Sequence, residues 1–312
     1  LKKKWFILLI CLVFLGGLCS YIIIEKKQKK PKIAVVLKGT KSDYWKIIVA
    51  GIERAFDNYG VEGKFLASDN TKMNQIDILK KVLKEKPDAL IFSPEDAKLP
   101  IPILKEYEKH NIPVLLVDTN LDWSGKTSFI GTNNDLLGQK AGELLSSMSQ
   151  PNDKILIIGY ISNDYVSEDR IQGAKKALNN AGIHMVIKQF ELNKDIAPVI
   201  PEILQANSKV KGIFATDDGA ALKIMKVLEE KNLNIPVVGA DGIIKMVKKI
   251  ENGTIRATIA QNPYDMGYIS GENALKAIKG EQVKKEIDSD VDIITIDNAQ
   301  SKRTFLENLL EN

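Results

Sequence analysis

The chain has 312 residues, 44% hydrophobic and 27% charged, with 44 Lys and Arg against 40 Asp and Glu. That is an ordinary globular balance, long enough for one large domain or two medium lobes with a substantial apolar core. Seven lysines crowd positions 2–4 and 26–30, so the rest of the chain is close to neutral, and the basic excess gives no support to nucleic-acid binding.

The first candidate element is Trp5 to Ile24, which runs without a charge. At roughly 1.5 Å per residue it spans a hydrocarbon core of about 30 Å. Its tail, Cys19-Ser20-Tyr21-Ile22-Ile23-Ile24, is bulky where a signal peptidase needs small residues, and Gly16-Gly17-Leu18 is a poor lipobox before Cys19. A retained single-pass anchor over residues 1–30 with a basic linker is therefore favoured, with removal or lipidation as the alternatives. Lysines flank the run on both sides, so the positive-inside rule does not orient it. Both cysteines lie inside it, which leaves the rest of the chain without a disulfide framework or thiol zinc site.

From Pro31 on, short apolar runs alternate with helical patterns. The strand candidates are Lys32–Leu37, Glu62–Ser68, Ala89–Phe92, Val114–Val117, Lys154–Gly159, His184–Glu191, Gly212–Thr216, Pro236–Ala240, Ala257–Ala260 and Asp290–Ile296. Several are unbroken Val/Ile/Leu blocks, as in strands covered on both faces of a parallel sheet. Between them, sets such as Ile76, Leu79, Val82, Leu83 or Leu222, Met225, Leu228 recur at helical spacing, and Gly60, Gly182 and Gly253 follow helical runs. Repeated βαβ units predict an α/β, doubly wound architecture, and about ten strands predict two sheets in two lobes. No helix-turn-helix pattern is read before Lys32, so a DNA-binding repressor is not the expected role.

In doubly wound sheets ligands bind beyond the carboxyl ends of the strands. Those ends carry Ser42-Asp43-Tyr44-Trp45, Asp118-Thr119-Asn120, Asp217-Asp218, Asp241-Gly242 and Gln261-Asn262. Carboxylates and amides accept from vicinal hydroxyls, arginine donates to ring oxygens, and aromatic faces cover sugar C–H surface. The plainer reading of such residues is helix N-caps and turn formers. Their coincidence over several loops favours a site.

Ile33–Leu37 with Tyr44-Trp45, Ile112–Asp118, Arg170–Gly173, Gly212–Asp218, Val237–Gly242 and Ala257–Gln261 together resemble the ribose-binding-protein branch of the type I periplasmic sugar receptors. The similarity runs in order over nearly all of the chain after Pro31. It implies two Rossmann-like lobes joined by a three-strand hinge, with crossovers near Thr132–Asn133, Gln261–Asn262 and Glu286–Asp288. Residues 31–132 and 262–286 would form one lobe and 133–261 and 287–312 the other. It further implies that Tyr44 and Trp45 sandwich a sugar ring, that Asp118 and Asp241 accept from hydroxyls, that Arg170 reaches the ring-oxygen side, and that Gln261 binds near the hinge. Ser42 stands where the family often has Asn; Thr119 and Asp217 replace a common Arg and Asn, so the ligand, a pentose such as xylose or ribose, need not be ribose. Leu192 or Asn193 falls where an aromatic often packs.

Neither a Gly-x-Gly-x-x-Gly nor a Walker lysine loop follows a strand, His110 and His184 are solitary, and Met73, Met225 and Met246 read as core. The Asp217-Asp218 pair lacks the carboxylate partners of a cation loop, so neither cofactor nor metal is expected. A glycosidase or isomerase would need a paired acid and base, which strand-end carboxylates could supply; a non-enzymatic receptor is favoured. The retained helix makes the chain similar to membrane-anchored xylose-sensing proteins that partner a LytS-type histidine kinase, with the binding domain outside the cell. Delivery to an ABC permease is the alternative. The terminal Phe305-Leu306-Leu309-Leu310 pattern reads as core packing before a docking helix.

Overall fold

The computed structural model describes residues 30–70, 73–161, 166–191 and 194–311. The apolar run Trp5–Ile24 and the positions Leu192 and Asn193 lie outside them. Among the described residues no helix is long and apolar enough to cross a membrane.

The chain begins with β1 (Lys32–Leu37), α1 (Asp43–Tyr59), β2 (Glu62–Ala67), α2 (Gln75–Lys84), β3 (Ala89–Phe92), α3 (Ile101–Lys109), β4 (Val114–Val117) and β5 (Ser128–Gly131). It continues with α4 (Asn134–Ser147), β6 (Lys154–Ile161), α5 (Val166–Asn180), β7 (His184–Glu191), α6 (Ile200–Ala206), β8 (Val210–Ala215) and α7 (Asp218–Glu230). Last come β9 (Val237–Asp241), α8 (Ile244–Glu251), β10 (Ala257–Gln261), α9 (Pro263–Ile278), β11 (Glu286–Asp288), β12 (Val291–Ile294) and α10 (Ala299–Glu311).

Two six-stranded sheets result, ordered β11-β5-β4-β3-β1-β2 and β12-β10-β9-β8-β6-β7. The second repeats the order of the first, which is the two-lobed α/β architecture the alternation predicted. All pairings are parallel except β10 with β12. The central strands β3 and β4 are buried along their whole length, as their unbroken apolar runs require. Each sheet has a separate apolar cluster on either face, one with Ile48, Ile52 and Met266 and one with Ile78, Leu104 and Tyr107 in the first lobe.

Two strands escaped the sequence reading. Ser128–Gly131 has only Phe129 and Ile130 as an apolar block, too short to register as a period. Glu286–Asp288 is partly exposed at the sheet edge, so it lacks a hydrophobic signature. The candidate Asp290–Ile296 shortens to Val291–Ile294 because Asp290 takes φ +59° and turns the chain from one sheet to the other.

The chain passes between lobes after β5, after β10 and between β11 and β12. The helix after each of the first two crossings packs in the lobe it enters: α4 against α5, and α9 against α1. Both pairs approach at backbone distance through glycine. A Cβ on Gly51 would lie 2.1 Å from the Tyr264 carbonyl oxygen, and one on Gly138 1.9 Å from that of Arg170. At the C-terminus Leu306 is buried and Leu309 and Leu310 pack on the second lobe's core, whereas Phe305 is exposed and meets Tyr264 edge-on. Packing, rather than a free docking face, accounts for most of that pattern.

Candidate functional site

The carboxyl ends of both sheets border one cleft of about 420 Å³, within the range of small-ligand pockets. From the first lobe it is lined by Lys38, Tyr44, Asp118 and Thr119; from the second by Asn134, Tyr160, Ser167, Arg170, Thr216, Asp217, Lys223 and Asp241; Gln261 closes it at a crossing strand.

Tyr44 sits in the first turn of α1, directly above the end of β1. Its hydroxyl donates to Asp118 Oδ1 at 2.6 Å and lies 3.4 Å from Gln261 Oε1. Burial, then the Asp118 charge, raises the Tyr44 phenol well above its ordinary value, so it remains a donor. Thr119 donates to the other Asp118 oxygen at 2.9 Å, and Lys38 Nζ stands 3.7 Å from it.

On the opposite side Arg170, on α5, spans three partners. Its Nη1 donates to Asp241 Oδ1 at 2.9 Å and to the Thr216 carbonyl at 2.7 Å, and its Nε to Asn134 Oδ1 at 2.9 Å. Gln261 Nε2 donates to the same Asp241 oxygen at 2.7 Å, while Gln261 Oε1 accepts from Thr132 at 2.8 Å. A chain of polar contacts thus runs from Asp118 through Tyr44, Gln261 and Asp241 to Arg170, across both lobes.

Of the nine predicted ligand positions, the structure brings Tyr44, Asp118, Thr119, Arg170, Asp217, Asp241 and Gln261 to the cleft. Ser42 and Trp45 are not among its lining residues. Ser42 is the exposed N-cap residue of α1. Trp45 is half-buried, packs on the first lobe's core and meets Tyr44 edge-on at 5.4 Å. Adjacent helix positions point about 100° apart, so the two rings leave α1 in different directions, Tyr44 toward the cleft. The second aromatic in the cleft is instead Tyr160, near the end of β6, from the other lobe. It was missed because β6 runs on to Ile161, two residues beyond the predicted end.

Asp217 serves both readings offered for strand-end acids. It lines the cleft, and its Oδ1 caps α7 by accepting from the Ala220 amide at 2.8 Å. Burial and then the Asp241 charge raise its carboxyl above the ordinary value. Lys38, the residue immediately after β1, also lines the cleft; a lone lysine at a strand end carries no sequence signal that separates it from a solvated surface charge. Thr216 contributes a backbone carbonyl, for which side-chain identity carries no signal.

Thr132–Asn133 and Gln261–Asn262 border two of the lobe crossings, whereas Glu286–Asp288, expected as the third, forms β11 in the first sheet and the chain crosses after it, at Ser289–Asp290. Asn133 caps α4 and its amide donates to Asp288 Oδ1 at 3.1 Å, while Asn262 Nδ2 donates to the Ser289 carbonyl at 3.2 Å. His110 and His184 are exposed and lie outside the cleft, and Met225 and Met246 are core. Among the described residues no group of His, Cys, Asp or Glu is gathered to hold a metal ion.

The model of the periplasmic binding protein domain family matches residues 33–282. The chain is 24% identical over 279 residues to the ribose import binding protein RbsB of Escherichia coli (strain K12), covering 88% of this chain and 94% of that one. A periplasmic ribose ABC transporter structure from Conexibacter woesei superposes with a TM-score of 0.81 at 20% identity, over 88% of this chain and 95% of the other. A carbohydrate transporter solute binding protein from Agrobacterium radiobacter, in complex with D-arabinose, gives 0.77 at 25% identity, over 91% and 99%.

Proposed function

We propose that this chain, which belongs to the periplasmic binding protein family, is a non-enzymatic receptor for a neutral monosaccharide, a pentose such as D-xylose or D-ribose, bound between its two lobes. The observation that carries the reading is the polar chain from Asp118 to Arg170. It sets acceptors from both lobes, a guanidinium and the Tyr44 hydroxyl around one cleft of monosaccharide size, which Tyr160 also lines. Such a set can pair vicinal hydroxyls, and a hydroxyl missing from an analogue would leave a desolvated group stranded, the source of discrimination among sugars.

Ligand contacts on both lobes favour the closed arrangement by as much as they are absent from the open one. The crossings at Thr132–Asn133, Gln261–Asn262 and Ser289–Asp290 are the places where the backbone would flex. Gln261 would register closure, since it touches Tyr44 on one side and Asp241 on the other.

The charge-free run Trp5–Ile24 with its lysine linker supports a receptor held at the outer face of a membrane. Tethering raises the effective concentration toward a membrane partner. We favour a histidine kinase as that partner and an ABC permease as the second reading.

The decisive measurement is titration of the chain from Pro31 onward with D-ribose, D-xylose, D-arabinose, D-allose and D-galactose. The expected result is heat of binding, a raised Tm, recovery of unchanged sugar and a smaller radius of gyration by X-ray scattering. Turnover of a sugar, or no binding of any, would overturn the receptor reading. Deleting the gene separates the partners: loss of sugar-dependent transcription with import intact supports the kinase, and the reverse supports the permease.

A further inference from the structure

Asp218 follows the cleft residue Asp217 but is itself wholly buried and does not line the cleft. Its Oδ2 accepts from the amides of Gly242 at 2.7 Å and Ile243 at 2.9 Å, and its Oδ1 from the Thr258 hydroxyl at 2.7 Å. Those amides belong to the turn that carries Asp241. There the backbone takes φ +118° at Asp241 and +76° at Gly242, the first a region that side-chain-bearing residues rarely adopt. Such a conformation persists only where its surroundings over-determine it. Two amides converging on one buried oxygen do so, and they aim the Asp241 carboxylate at Arg170 and Gln261.

We propose that Asp218 is the positioning residue of the sugar site, acting through the Gly242 and Ile243 amides to set Asp241 without touching ligand. The inference rests on the receptor reading above. The first lobe offers a contrast, since Asp118 also has positive φ but its own amide bonds the Ile130 carbonyl within the sheet. Among the described residues it is the second lobe that uses a buried acid from the neighbouring strand's loop. The site's geometry on that side therefore depends on the packing of α7 against β9, and a change there reaches the sugar through one carboxyl group.

The test uses Asp218→Ala and Asp218→Asn in the chain from Pro31 onward. The probe is whichever of D-ribose, D-xylose, D-arabinose, D-allose and D-galactose binds wild type most tightly. Asparagine can present its oxygen to both amides and its NH₂ to the Thr258 hydroxyl, which accepts as readily as it donates. The alanine variant is expected to exchange the Gly242 and Ile243 amide hydrogens faster and to lose at least about tenfold in affinity, the worth of one or more hydrogen bonds. Asparagine should restore both. If alanine does not fold, Thr258→Val supplies the readout, with faster exchange and an intermediate affinity. Wild-type affinity in the alanine or valine variant, or asparagine as weak as alanine, would overturn the proposal. If wild type binds no sugar, the receptor reading fails, and the exchange rates still decide whether Asp218 holds the turn.

Discussion

Asp118 and Asp241 occupy matching places in the two sheets, at the ends of β4 and β9, each third in its strand order, and both take positive φ, +69° and +118°. Two non-glycine residues in a strained backbone region, facing one cleft from opposite lobes, are a cost to folding that a binding site explains. Replacing Asp118 by Ala or by Gly should abolish measurable sugar affinity in either case. The two should differ in stability, glycine being the more stable by about 1 kcal/mol because it adopts that φ without a Cβ clash. Urea unfolding beside calorimetry checks this, and equal stability would argue against strain at Asp118.

The Arg170–Asp241 ion pair is nearly closed to solvent on the arginine side, whose side chain is 3% exposed. Arg170→Ala should therefore remove affinity and cost about 3 kcal/mol of stability, since it leaves a carboxylate uncompensated. Gly138→Ala should damage the same group from behind. Its Cβ would meet the Arg170 carbonyl oxygen, forcing α4 and α5 apart at a cost of about 1–3 kcal/mol and weakening sugar binding without touching the cleft.

Tyr44→Phe deletes the 2.6 Å hydrogen bond to Asp118 and should weaken binding about tenfold with little change in fold. Trp45→Ala should behave differently, lowering stability by about 2 kcal/mol through lost packing and lowering affinity only as far as it loosens Tyr44. A Trp45 variant with intact stability and no affinity would place that ring in contact with sugar after all.

Burial raises the Asp218 carboxyl well above the ordinary aspartate value, with the Asp241 charge adding to the effect. A raised acid in the folded state binds a proton that the unfolded chain releases, so its contribution is fully present below that value and is lost as pH rises through the folded pKa. Asp218→Asn has no such proton to lose. Measured by urea unfolding from about pH 4 to about pH 8, the variant should gain on wild type steadily as pH rises. A constant difference would mean that Asp218 titrates alike in both states.

The strand ladder was legible because it depends on local chemistry. Unbroken runs such as Ala89–Phe92 and Val114–Val117 announce burial on both faces, and the order of polar residues after them marks the sheet edge where ligands gather. Asp118, Arg170, Asp241 and Gln261 could all be named from that rule and from family resemblance. Short or edge strands such as Glu286–Asp288 were not legible, since their pairing partners lie far away in sequence and their own residues are half exposed.

What sequence alone determined about this protein is the alternation of strands and helices and the strand ends that carry polar groups, because periodicity and burial are written residue by residue. Tertiary structure decided which of those groups share a cleft. Side-chain direction follows from how each helix leaves its strand, so Trp45 turned to the core while Tyr160 and Lys38 came to the site. It also decided the part played by Asp218, whose partners Gly242, Ile243 and Thr258 meet it only once β8, β9 and β10 lie side by side.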